Sequence, residues 1–264
     1  MNSRKLALCL ALLPAISAMR LQADMDIPVT TYEYKIGGET HEGFVARPLQ
    51  EAASQPGLLV VHDWTGYGAF SREQAVRLAR LGYIAFAVDM YGKDVRAKDA
   101  TEASRLAGRF YQNPPLIREN MLAALEELRR MPGVNPARLG AIGFSFGGTC
   151  VLELARSGAE LAGVVSFHAR LRPFSTQPPK RIVPKILILH GTLDPRSRPD
   201  DVAACMNELN AAGVAYRFVG YPLAVHAFTN PAAGSDPSTG TAYQESAAKA
   251  AFEEMERFLL YIFQ

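Results

Sequence analysis

A serine between two glycines, at the end of an apolar segment, is the feature that most constrains this sequence. Residues 139–144 are apolar and lead into the sequence Gly-Phe-Ser-Phe-Gly, in which the serine is Ser145. This pattern predicts a strand, a tight turn and a helix, with glycine required two residues before and after the serine, at Gly143 and Gly147. The turn exposes the Ser145 hydroxyl above the positive N-terminal end of the helix, where developing negative charge is favoured. Ser145 is therefore predicted to be a nucleophile.

A serine nucleophile needs a histidine as its base, and the histidine needs a carboxylate that orients it. With this turn the three residues occur along the chain in the order serine, acid, histidine. Asp194 follows the apolar residues 184–190, and His226 lies in a loop after the strand-like residues 215–221. Both therefore follow the C-terminal end of a strand, where open α/β sheets place their active sites. We predict a triad of Ser145, Asp194 and His226.

Each partner of the serine also has an ordinary structural explanation. Asp194 precedes a proline and could simply start a turn, and His226 could be a loop histidine with a structural hydrogen bond. The order of the three residues favours the triad. His168, after residues 162–167, is the one serious alternative base, but it precedes Asp194 and so breaks the order. Structural roles are expected for the other histidines: His41, His62 and His190.

Acyl transfer also requires two donors for the oxyanion of the tetrahedral intermediate. The first should be the backbone N–H of Phe146, which follows the nucleophile. The second should come from the loop after an early strand, here residues 57–62, and Trp64 in that loop is our candidate. Its indole, the only one in the chain, is either an apolar wall of the site or a packing residue.

Residues 1–23 have the pattern of a signal peptide. Two basic residues precede the apolar residues 6–16, which are too few to span a bilayer, and small residues follow at Ala18 and Ala23, where cleavage is expected. This predicts a periplasmic or secreted protein with no stable membrane anchor after cleavage. The alternative is a cytosolic protein with an apolar N-terminal helix.

The remaining residues 24–264 are predicted to form a single α/β domain. Hydrophobic residues make up 48% of the sequence, enough for a large core. The leader holds three of the 28 basic residues and no acidic one, so the mature chain is nearly neutral. With no basic block, we expect no nucleic-acid partner, and no metal-ligand motif is visible. Cys150 and Cys205 are expected to be buried free thiols, and the alternative is the disulfide that an exported protein can form.

Strand-like and helical segments alternate along this domain. Predicted strands are residues 31–36, 43–47, 57–62, 83–89, 139–144, 162–167, 184–190 and 215–221. Predicted helices are residues 70–81, 97–111, 116–130, the segment from the serine turn to residue 156, 200–212 and 243–263. Pro114 and Pro115 are expected to separate the helix that ends at residue 111 from the helix that begins at residue 116. The pattern predicts a mostly parallel sheet covered by helices on both faces. No long insertion separates residues 167 and 184, so no large lid is expected.

Five segments together resemble the dienelactone hydrolase family of α/β-hydrolases. They are residues 60–66, 88–92, 143–148, 190–194 and 226–231. The resemblance covers most of the mature chain and implies an α/β-hydrolase fold and a cofactor-free hydrolase of esters or lactones. It also assigns the nucleophile to Ser145, the acid to Asp194, the base to His226, and one oxyanion amide to Trp64.

The resemblance further suggests which residues surround the substrate. Asp63 matches an acidic position of the family, which is a glutamate in its best-known members, where the nucleophile is a cysteine. Those members hold a substrate carboxylate with two arginines, of which one falls at Asn230 here and the other is expected near Arg105. We expect Asp63 and Arg105 in or beside the substrate pocket, together with Tyr91 and Phe228. The serine and Asn230 favour a neutral ester.

These observations predict a serine hydrolase that cleaves small carboxylic esters or lactones through an acyl-enzyme, as a monomer or homodimer. An acyltransferase or a peptidase with the same triad is one alternative. A non-catalytic protein that binds ligands on a hydrolase scaffold is another.

Overall fold

The computed structural model of the protein describes residues 26–50, 52–172 and 181–264. The predicted signal peptide lies outside these residues, so export stays a prediction.

Among the described residues, eight strands form one sheet, and six of them are parallel to one another. The first two strands form an antiparallel hairpin, and the second also pairs antiparallel with the fourth. The order across the sheet is β1-β2-β4-β3-β5-β6-β7-β8. The strands are β1 Val29–Ile36, β2 Glu39–Ala46, β3 Gln55–Val61, β4 Ile84–Val88, β5 Val134–Phe144, β6 Gly163–Phe167, β7 Lys185–Gly191 and β8 Tyr216–Tyr221.

Helices cover both faces of the sheet, as the sequence predicts. They are α1 Ala69–Arg80, α2 Ala100–Tyr111, α3 Pro114–Arg130, α4 Phe146–Arg156, α5 Pro199–Ala211 and α6 Glu245–Ile262. Side chains alternate along each strand, so in β3 Leu58 and Val60 belong to the core on the face covered by α1 and α6. Leu59 and Val61 belong to the core on the face covered by the other four helices. The α/β-hydrolase fold is thereby confirmed, and the described residues between β6 and β7 form no helical lid.

Two helix boundaries differ from the sequence prediction for local reasons. Helix α2 begins three residues later than expected because Asp99 caps it, accepting a hydrogen bond from the amide of Glu102 at 2.8 Å. Pro114 and Pro115 do not lie between two helices but form the first turn of α3. Proline is tolerated there because the first turn needs no backbone donors.

Cys150 and Cys205 are buried free thiols, as predicted. Burial raises the pKa of the Cys150 thiol well above its usual range. Within the described part of the chain no helix has the length and apolar character needed to cross a membrane.

The helix that follows the nucleophile is fixed from behind by a buried carboxylate. Glu153 of α4 is fully buried, and it accepts hydrogen bonds from Arg118 of α3 at 3.0 Å and from Arg156 at 3.1 Å. Arg156 in turn donates to Glu208 of α5 at 2.6 Å. The network therefore joins three helices on one face of the sheet.

We predict that Glu153→Ala is strongly destabilising, because Arg118 loses its carboxylate partner and Arg156 keeps only Glu208. The free energy of unfolding should fall by about 3–5 kcal/mol, measured by urea denaturation. Glu160→Ala, at an exposed position just after the same helix, is the matched control and should change stability little. Equal stability of the two variants would contradict this account.

Candidate active site

Ser145 lies at a strained turn between β5 and α4. Its φ of 55° and ψ of −110° are unusual for a residue with a side chain. A Cβ at Gly143 would overlap the carbonyl group of Gly147, and a Cβ at Gly147 would overlap the carbonyl of Val61 in β3. Both glycines are thus required because backbones approach closely. The Ser145 amide donates to the Phe167 carbonyl at 2.9 Å, which fixes the turn against β6.

The structure brings Ser145, His226 and Asp194 together in one chain of hydrogen bonds. Ser145 Oγ lies 2.7 Å from His226 Nε2, and His226 Nδ1 lies 2.8 Å from Asp194 Oδ2. All three residues are buried, although the Ser145 residue keeps 7% of its surface exposed. This is the geometry of a nucleophile, its base and the carboxylate that orients the base.

Loop hydrogen bonds hold the acid and the base in place. Asp194 Oδ1 accepts from the Arg196 amide at 2.8 Å, so this aspartate both forms a turn and orients the histidine. The His226 amide donates to Gly240, and the His226 carbonyl accepts from Ala242. The residue after the base, Ala227, has a φ of 58°, which adds a second strained position to the site.

The two candidate oxyanion donors are the residue after the serine and a residue that lines the same cavities as the serine. Phe146 is the first residue of α4, so its N–H has no partner within the helix. The Trp64 amide makes no hydrogen bond to any described residue, and Tyr91 holds this loop by donating to the Trp64 carbonyl at 3.0 Å. Asp63 Oδ1 accepts from the amide and the hydroxyl of Thr65 at 2.8 and 2.6 Å. Asp63 therefore shapes this loop, and none of its hydrogen bonds in the described residues reaches Ser145.

The other histidines have structural contacts, as the sequence predicts. His62 Nε2 accepts from the Met90 amide at 3.1 Å while its Nδ1 lies 2.5 Å from the Asp63 carbonyl, so the ring is neutral with its proton on Nδ1. Burial lowers the pKa of His62. His41 Nδ1 bonds to the Asp89 carbonyl. His168, the alternative base, bonds to Thr229 and not to Ser145, and its ring packs against the His226 ring.

Two cavities meet at Ser145 and His226, and Trp64 and Arg196 line both of them. The first, which we call the arginine cavity, has a volume of about 470 Å³; its other lining residues include Ser104, Tyr111, Gln112, Arg170 and Arg172. The second, the aromatic cavity, has a volume of about 310 Å³; its other lining residues include Asp63, Phe70, Phe144, His168, Asn230 and Thr241. Ser145 and His226 therefore lie between a space lined by three arginines and a space lined partly by aromatic rings.

Of the four residues expected in or beside the pocket, Asp63 lines the aromatic cavity, and the other three line neither cavity. Arg105 points away from the site; its side chain is 69% exposed and pairs with Glu102 at 3.6 Å, because neighbouring residues of α2 face the cavity instead. Phe228 is fully buried beneath His168, with ring centroids 5.3 Å apart. Tyr91 supports the Trp64 loop but lines neither cavity.

The arginines of the cavity were not among the predicted site residues. Arg196 comes two residues after the triad acid, so its place at this edge of the sheet follows from the place of Asp194. Its guanidinium lies 5.5 Å from the centre of the Trp64 ring. Arg170 and Arg172 follow the C-terminal end of β6 in the same way. Asn230 stands where an arginine was expected, but these three arginines give the site its positive charge.

Comparison with known proteins agrees with this geometry. The model of the dienelactone hydrolase family matches residues 41–263. The chain belongs to the dienelactone hydrolase family. As a member it is a carboxylic ester hydrolase with the α/β-hydrolase fold.

Three relatives illustrate how far the similarity extends. The solved structure of a dienelactone hydrolase-like promiscuous phosphotriesterase from metagenomic libraries is 32% identical, with a TM-score of 0.86 over 91% of this chain and all of that one. An uncharacterized protein of Caenorhabditis elegans is 30% identical over 145 residues, which are 54% of this chain and 92% of that protein. A putative carboxymethylenebutenolidase of Methylorubrum extorquens is 28% identical over 67% of this chain and 65% of its own length.

We predict that Tyr91→Phe weakens catalysis through the Trp64 loop. The change removes the hydrogen bond that holds the Trp64 carbonyl, worth about 1 kcal/mol, so kcat/KM should fall about fivefold. Tyr221→Phe is the matched control, because the buried Tyr221 hydroxyl has no hydrogen-bond partner among the described residues. Equal kcat/KM values for the two variants in an ester assay would show that Tyr91 does not support the loop.

Proposed function

We propose that this protein is a serine hydrolase of small carboxylic esters or lactones, with Ser145 as nucleophile, His226 as base and Asp194 as orienting acid. The observation that carries the proposal is the unbroken hydrogen-bond chain from Ser145 Oγ through His226 to Asp194, placed at a strained turn at a helix N-terminus. Family membership supports the reaction class.

The geometry suggests the sequence of steps. His226 Nε2 takes the hydroxyl proton as Ser145 Oγ attacks the ester carbonyl, and Asp194 stabilises the imidazolium that forms. The amides of Phe146 and Trp64 would hold the oxyanion. His226 then gives the proton to the leaving alcohol, and activates the water that hydrolyses the acyl-enzyme.

The two cavities suggest what kind of ester fits. Their volumes suit a small molecule, with one part of the substrate on either side of Ser145. The guanidinium groups of Arg170, Arg172 and Arg196 favour a substrate that carries an acidic group away from the scissile bond, in place of the neutral ester that Asn230 led us to expect. Relatives called putative carboxymethylenebutenolidases support lactones as a second substrate type. We also propose that the mature protein is exported, on the pattern of residues 1–23.

The first test is Ser145→Ala. Turnover of a short p-nitrophenyl ester should fall at least about a thousandfold, because the nucleophile is lost, while the thermal unfolding midpoint stays near that of the wild type. In intact-mass spectra a fluorophosphonate should add once to the wild type and not to the variant. The untreated mass of the protein recovered from the producing cells would also show where the mature chain begins.

Three outcomes would change this assignment. Wild-type turnover in Ser145→Ala would disprove the mechanism. A wild-type protein that neither reacts with the probe nor hydrolyses esters would instead fit a ligand-binding protein. Faster acyl transfer to an added alcohol than to water would point to an acyltransferase.

We predict that Arg196→Gln reduces a preference for acidic substrates. The test compares kcat/KM for p-nitrophenyl hydrogen adipate and p-nitrophenyl hexanoate, which share the length of the acyl chain. Arg196 is exposed, so the preference for the adipate should fall only about two- to fivefold at low ionic strength, and less in high salt. Arg198→Gln is the control, since Arg198 pairs with Asp201 and lines neither cavity. An unchanged ratio in Arg196→Gln would remove this arginine from substrate selection.

A further inference from the structure

His168 packs directly against the proposed base, although the reaction gives it no step. It follows β6 with a φ of 37°, and only 1% of its surface is exposed. Its ring meets the His226 ring edge to face, with centroids 5.5 Å apart and an interplanar angle of 71°. A buried polar ring in a strained conformation, in contact with a catalytic side chain, is a candidate for a functional role.

A single hydrogen bond joins His168 to the loop that carries the base. His168 Nε2 lies 2.8 Å from the hydroxyl of Thr229, which is 2% exposed and only three residues beyond His226. Phe228 packs against the ring as well, with centroids 5.3 Å apart. The ring of His168 is thus held between the end of β6 and the His226 loop.

The surroundings keep His168 uncharged. The titratable groups that face it are His226 and His190, and both oppose its protonation. Burial is the larger cause and lowers the pKa of His168 well below its usual range. A neutral ring suits this position, because His226 becomes a cation during the reaction and a second cation beside it would oppose that step.

The proposed base needs support that its own hydrogen bonds do not supply. Ser145 and Asp194 hold His226 at Nε2 and Nδ1, which are two points on the ring. The ring can still rotate about its Cβ–Cγ bond, and because both nitrogens lie off that axis, such a rotation weakens both hydrogen bonds together. A neighbouring ring that packs against it blocks this motion.

We propose that His168, anchored by Thr229, is a positioning residue that keeps the His226 imidazole aligned between Ser145 and Asp194. This role rests on the proposed function. A positioning role differs from a role in substrate binding, because loss of His168 should then lower kcat and leave substrate affinity unchanged.

The test compares His168→Ala with the double variant His168→Phe and Thr229→Val, using the full mature protein and a short p-nitrophenyl ester. His168→Ala removes the supporting ring, so kcat should fall about 10- to 100-fold while KM stays within about twofold. The double variant keeps an aromatic ring and leaves no unpaired hydroxyl, so kcat should return to within about threefold of the wild type. The rate of reaction with the fluorophosphonate should fall in His168→Ala and return towards the wild-type rate in the double variant.

His41→Ala is the matched control for the loss of a buried histidine. His41 lies in β2, which is four positions away from β6 in the order of the sheet. It is 2% exposed, and its Nδ1 bonds to the Asp89 carbonyl. Its loss should leave kcat of the folded protein unchanged. Far-downfield proton NMR gives a second readout, since the resonance of the His226 Nδ1 proton should broaden in His168→Ala and sharpen again in the double variant.

Three outcomes would overturn the proposal. They are a wild-type kcat in His168→Ala, a double variant as impaired as His168→Ala, or a change confined to KM, which would make His168 only a wall of the aromatic cavity. Failure of the proposed function is distinguishable, because the wild type itself would then show no turnover that depends on Ser145.

Discussion

The close approach of three backbone segments at Ser145 is the constraint on which the site depends. The turn between β5 and α4 brings Gly143 against the Gly147 carbonyl, and brings Gly147 against the Val61 carbonyl of β3. No residue with a Cβ fits at either glycine, and Ser145 itself adopts a positive φ. Such strain persists only where the surroundings overdetermine it. Here they do so through the hydrogen bond to Phe167 and through the network around Glu153, which fixes α4 against its neighbours.

Much of this arrangement could be predicted because it depends on local sequence. The glycine spacing around Ser145 predicts the turn, and apolar segments of strand length predict the central strands. The order of Ser145, Asp194 and His226 predicts the triad, since each follows a parallel strand and those strand ends share one edge. The start of α3 could not be predicted in the same way. Pro114 and Pro115 are typical both of the first turn of a helix and of a break between two helices, and here they form the first turn.

The substrate pocket was harder to predict, because it depends on which way a helical or loop side chain points. Arg105 is in the expected helix, yet the turn of α2 directs it to Glu102 and solvent, while Ser104 faces the cavity. The cavity arginines come from loops after β6 and β7, and no periodic pattern marks them. A motif identifies the edge of the sheet at which chemistry occurs, but the contacts of individual side chains there are set by tertiary packing.

The five histidines of the chain show how packing selects a base. Burial lowers the pKa of His62, His168 and His190, and none of the three bonds to a carboxylate. His41 bonds to a backbone carbonyl. His226 alone has a carboxylate at one ring nitrogen and a hydroxyl at the other, so it is the imidazole that can take a proton from a nucleophile and keep the resulting charge in a buried site. The neighbouring rings of His168 and His190 have lowered pKa values, so they add no competing cation beside it.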